Sequence, residues 1–124
     1  MKEQYGMTRE EALALLEQNI NNANLRKHCL ASEAVLRAMA RHLNQDEEKW
    51  GLAGLLHDLD AESHPDLQVH THRSVEMLRA RGVQLEIIEA IRLHNEAAHP
   101  DKRSTLIQHA LAAMQDIAPE LELA

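Results

Sequence analysis

A chain of 124 residues with 44% hydrophobic content is long enough for one domain, residues 1–124, burying roughly two-thirds of its unfolded surface, and too short to expect a second. Twenty acidic against 13 basic side chains give a net charge of −7, and there is no Phe, one Trp and one Tyr; this excludes the basic field and stacking platforms that hold nucleic acid. No apolar run approaches the roughly 20 residues needed to cross a bilayer, the lone Cys29 closes no intramolecular disulfide, no signal-peptide pattern follows Met1, and a cytoplasmic protein with no membrane partner is expected.

Thr8-Arg9-Glu10-Glu11 reads as a capping box, Thr8 bonding the Glu11 amide while Glu11 reaches back, and predicts a short helix to about Gln18. Residues 19–24 form a turn rich in Asn. Leu25, Val35, Leu36, Met39 and Leu43 then recur at helical spacing over a long segment, with His28 and Ser32 on the same stripe. Asn44-Gln45-Asp46 breaks the pattern; Asp46 as cap, with Glu47 and Glu48 at the positive end, introduces a helix running to Asp58. Polar residues and Pro65 make 61–67 a loop. A fourth helix is predicted over 69–81, ended by Gly82, whose access to positive φ suits a C-terminal cap. Leu85, Ile87, Ile88, Ile91 and His94 mark a fifth helix, and His99-Pro100-Asp101 a break. Leu106, Ile107, Ala110, Leu111 and Met114 mark a last helix, which Pro119 should stop or kink. With no strand pattern to set against these, the fold class is all-α, a compact bundle of five to six helices.

Nine histidines are many for this length. A half-buried imidazole is more often bonded to a backbone carbonyl than to a metal, but here the pattern points to a centre. His57-Asp58 closes the apolar run Leu52-Ala53-Gly54-Leu55-Leu56, and an imidazole and a carboxylate held together can ligate one ion. His28 shares a helical face with Ser32 and Val35, and His94 shares one with Ile87 and Ile91, so three helices point imidazoles inward. Burying these groups alone costs roughly several kcal/mol, and a shared cation removes most of that penalty. His42, His64, His99 and His109 read as structural or exposed, and Cys29 as small buried filler. Asp60 and Glu62 are candidates for orienting ligand histidines. Arg26, Lys27, Lys102 and Arg103 are candidates for meeting a phosphate, although a solvated face explains such charges more often.

These residues resemble the HD superfamily of metal-dependent phosphohydrolases, whose motif is a His on one helix, a His-Asp pair on another and a distant Asp. The resemblance rests on Asn24-Leu25-Arg26-Lys27-His28, on Trp50-Gly51-Leu52-Ala53-Gly54-Leu55-Leu56-His57-Asp58-Leu59-Asp60, and on Ala90-Ile91-Arg92-Leu93-His94-Asn95. It covers about residues 7–112 and is similar to that of small single-domain HD proteins of bacteria. It implies a divalent metal, one or two ions of Mn, Fe, Mg or Zn, held by His28, His57 and Asp58, with His57 and Asp58 as catalytic residues. The substrate it implies is a small phosphorylated molecule, a phosphomonoester or nucleotide-like compound, attacked by water.

Members with two ions use two further histidines, here His70 and His94, with Asp58 bridging. His70-x-x-x-Ser74-Val75-Glu76-Met77-Leu78 is similar to the family's His-x-x-x-Gly-Ala-Glu-Ile-Leu, and periodicity puts the runner-up His72 on a solvated face with Glu76 and Arg79. The family's final Asp aligns with Gln115, and Asp116, the candidate that replaces it, comes one residue late, about 100° round a helix. The stretch 113–121 resembles the end of longer members, which suggests a shortened chain with an uncovered apolar face and a homodimer. Two alternatives stay open: a di-iron oxygenase of the same superfamily, and a catalytically incomplete HD fold that lacks its last Asp ligand.

Overall fold

The computed structural model describes residues 5–59, 72–94 and 105–117, with backbone alone at 94 and 114–117. Among the described residues six helices follow in order and no strand occurs: α1 (Arg9–Asn19), α2 (Ala23–His42), α3 (Glu47–Leu56), α4 (His72–Ala80), α5 (Leu85–His94) and α6 (Leu106–Ile117). The all-α bundle expected from the sequence is what the chain forms. No helix among the described residues is long and apolar enough to cross a membrane.

Three helix starts are fixed by side chains that take up amides left over at a first turn. The Glu11 amide donates to Thr8 Oγ1 at 3.2 Å and the Thr8 amide to Glu11 Oε1 at 3.0 Å, the reciprocal box expected at α1. Asn22 Oδ1 accepts from the Leu25 amide at 3.0 Å, so the Asn-rich turn opens α2. Asp46 Oδ1 accepts from the amides of Glu48 and Lys49 at 3.0 and 3.2 Å and opens α3. Asn44, with φ 57°, ends α2 in the left-handed conformation that asparagine tolerates. Gly82, with φ 76°, ends α4 as its freedom at positive φ suggested.

Every residue from 50 to 56 is buried. A helix apolar on all sides must be enclosed on all sides, and α1, α2, α5 and α6 all pack against α3. Its closest neighbour is α2. Arg37 meets Gly51, Ser32 meets Gly54 and His28 meets His57, so the two helices run antiparallel. The buried face of α2 is His28, Cys29, Ser32, Glu33, Leu36 and Ala40.

That face departs from the sequence reading. Val35 and Leu43, counted on the apolar stripe, are 37% and 41% exposed. Leu36 is the one large aliphatic on that face; its other positions are small or polar, and at Ser32 the backbones of α2 and α3 come close across Gly54. Leu85 and Leu106, at the first positions of their helices, are 64% and 48% exposed, since core contact begins only further along each helix. The helix expected to run to Asp58 ends at Leu56, with His57 as its C-cap.

The segment before α1 crosses the turn between α4 and α5. The Gln84 amide donates to the Tyr5 carbonyl at 2.8 Å. Gly6, with φ 81°, lies so close to Gly82 that a Cβ would fall 2.0 Å from its carbonyl oxygen. The Tyr5 hydroxyl donates to Asp46, tying this strap to the cap of α3.

Candidate metal centre

The C-terminal end of α3 and the middle of α2 bring three sequence-selected side chains together. His28 Nε2 lies 2.9 Å from Asp58 Oδ2, His57 Nε2 lies 3.0 Å from the same oxygen, and the two Nε2 atoms are 3.2 Å apart. All three residues are buried, with 0 to 1% exposure.

One hydrogen bond sets the chemistry of this triangle. His57 Nδ1 lies 2.7 Å from the Gly54 carbonyl oxygen. A carbonyl only accepts, so Nδ1 carries the hydrogen, and when the ring is neutral Nε2 is left as a lone pair. The bond also satisfies one of the last-turn carbonyls of α3 that has no amide to meet it. With the ring neutral, His57 Nε2 and Asp58 Oδ2 are two acceptors 3.0 Å apart that a bound cation would satisfy.

A divalent ion fits the donor set. Ligand atoms about 2.0–2.2 Å from an ion at tetrahedral to octahedral angles stand about 2.8–3.6 Å from one another, and the three observed separations fall within that range. The negative end of the α3 dipole, at His57, also favours positive charge. Among the described residues, His28, His57 and Asp58 form a group able to hold a metal ion, each giving one ligand atom.

The other expected ligands are not brought into this description. His70 lies outside the described residues, as do His64, His99, Asp60, Glu62, Lys102 and Arg103. His94 is the last residue of α5 and Asp116 lies in α6, both known by backbone alone. Gln115 and Asp116 are both helical, so the two remain about 100° apart around α6. His72, Glu76 and Arg79 are all exposed, as their shared face implied, and so are His42 and His109. Arg26, a candidate for phosphate, is engaged elsewhere: it donates to the carbonyls of Ile20 at 2.5 Å and Glu17 at 3.1 Å and closes the end of α1. Cys29 is buried.

Sequence reasoning missed a second buried charge cluster. Glu33, 5% exposed, takes a two-pronged contact from Arg9 at 2.6 and 2.9 Å and a third hydrogen bond from Arg37 at 3.3 Å. Burial pushes its carboxyl up, and the two guanidiniums more than reverse that, holding it below the usual carboxylate range. It also passed over Gly54. The available signal was Gly51-x-x-Gly54 inside an otherwise apolar helix, a pattern that permits close approach of another backbone.

A family model described as HD domain matches residues 25–121. No curated protein matches the chain, and no solved structure does. The match includes His28, the His57-Asp58 pair and α6 and spans most of the sequence; the chain belongs to the HD domain family.

Proposed function

We propose that this protein is a metal-dependent phosphohydrolase acting on a small phosphomonoester or nucleotide-like substrate. The observation that supports this most is the convergence of His28 Nε2, His57 Nε2 and Asp58 Oδ2 within a buried triangle. A divalent ion bound there would supply a Lewis acid that makes water acidic enough to yield hydroxide near neutral pH. His28 and His57 would hold the ion through their Nε2 atoms and Asp58 through Oδ2, its charge balancing the ion's, and the Gly54 carbonyl orients the His57 ring through Nδ1. Burial of all three keeps their electrostatic attraction for a cation from being diluted by solvent. His70, His94 and Asp116 are proposed as further ligands, with a second ion if the two histidines join.

Elemental analysis of protein purified anaerobically without a histidine tag, with His57→Ala prepared alongside, tests this. The expected result is about one or two ions per chain, lost in the variant together with orthophosphate release from a phosphomonoester panel. Turnover surviving in His57→Ala would sink the mechanism. Oxygen consumption by the iron-loaded protein with an organophosphonate, without hydrolysis, would move the assignment to the oxygenase branch.

A further inference from the structure

We infer that Gly54 is the positioning residue of the centre, setting both the orientation of His57 and the gap between His57 and His28. This rests on the reading of His28, His57 and Asp58 as a metal site. Two independent contacts converge on Gly54. Its carbonyl takes the His57 Nδ1 hydrogen at 2.7 Å, and its missing side chain makes room for the backbone of α2. A Cβ built there would lie 2.7 Å from the Ser32 carbonyl oxygen, 2.9 Å from its carbon and 3.0 Å from the Glu33 amide nitrogen.

Those are backbone atoms, and they cannot rotate aside. Ser32 is one turn from His28 on the same face, and its hydroxyl donates to the His28 carbonyl at 2.8 Å. This close approach of the α2 and α3 backbones thus sits one turn from the paired imidazoles on both helices. Restoring ordinary contact with an added Cβ requires a spread of about 0.7 Å, whereas metal sites hold their distances within about 0.2 Å.

Gly51 provides the internal control. It lies three residues earlier in the same helix, and a Cβ there would meet Nε, Cζ and Cγ of the Arg37 side chain at 2.7 to 3.0 Å. That side chain can move, and the imidazoles are a further turn away. An added methyl at Gly51 therefore crowds the same interface without spreading the backbones at the site.

The experiment is a Co²⁺ titration of the wild-type chain, Gly54→Ala and Gly51→Ala, followed by visible absorption, with circular dichroism checking that each is folded. Gly54→Ala should bind Co²⁺ about 10–100-fold more weakly and with an altered visible spectrum, while Gly51→Ala matches the wild type. Equal affinity in all three overturns the role of Gly54 and leaves the metal site standing. No Co²⁺ binding by the wild-type chain overturns the metal reading itself, and this inference with it. Where Gly54→Ala does not fold, ¹⁵N shifts of the His57 ring in the metal-free wild-type chain decide: a hydrogen on Nδ1 supports the positioning contact, and a hydrogen on Nε2 overturns it.

Discussion

Two buried carboxylates lie along the interface of α2 and α3, each clasped by two nitrogen bases, and the bases differ. Glu33 is held by the guanidiniums of Arg9 and Arg37, which bring permanent positive charge and only donors. Asp58 is held by the imidazoles of His28 and His57, whose ring nitrogens accept as well as donate when neutral. The first cluster is neutralised by the chain itself. The second has a donor set able to take a metal ion. A cluster closed by permanent charges and one able to take a ligand can thus be told apart by which atoms meet around two buried carboxylates.

The sharpest division between them should come from Asp58→Ala. It is expected to abolish metal retention, measured by elemental analysis, and phosphate release with it. A divalent ion at about 100 times its Kd should stabilise the wild-type chain by about 2.7 kcal/mol, and thermal unfolding should show no such gain in Asp58→Ala. Next comes Glu33→Ala, which strands two guanidiniums. Its cost should be about 1–3 kcal/mol in urea unfolding, below the full penalty for a broken buried pair because Arg9 is 46% exposed and can turn to water. Metal affinity should not change. If it does, the two clusters are coupled through neighbouring Ser32, and the division drawn above fails.

Acid sharpens the same contrast. Glu33 has a folded pKa held below the ordinary carboxylate value of 4.5. The unfolded chain therefore binds the proton first, so the stability from this group is present above about pH 4.5 and is lost as pH falls through the depressed folded value. The urea midpoint of the metal-free wild-type chain should drop over that interval, and Glu33→Gln should flatten the drop. A profile of equal steepness in the variant would place the acid-sensitive group elsewhere, with Asp46, also held low by Tyr5 and the amides of Lys49 and Glu48 after burial pushes it up, as the first alternative. The smallest effect belongs to Thr8→Ala, about 1 kcal/mol through loss of the α1 cap, read in chemical denaturation, with the metal centre untouched.

What was legible in the sequence is what depends on near neighbours in the chain. Thr8 with Glu11, Asp46 with the amides after it and Gly82 at positive φ are interactions of a few residues, and composition alone announces them. His57 and Asp58 are adjacent, and the apolar run before them marks the buried helix. His28 was reachable because it stands on a helical stripe. The facing of α2 was not, because counting large aliphatics assigned Val35 and Leu43 to the core, whereas its buried face holds His28, Cys29, Ser32, Glu33, Leu36 and Ala40. Glu33 escaped because its partner Arg9 is 24 residues away, and nothing in a local window pairs them. Gly54 escaped because a missing side chain has meaning only once the neighbour that fills its space is known.

The enclosure of α3 sets a clock as well as a position. A helix buried on every side exposes its amides to solvent only when the whole fold opens, so hydrogen exchange along residues 50–56 should report global unfolding and nothing faster. The centre hangs from the end of that helix. Under the proposed function, an ion or a substrate would therefore be exchanged by movement on the sides away from α3, while His57 and Asp58 stay anchored to that helix.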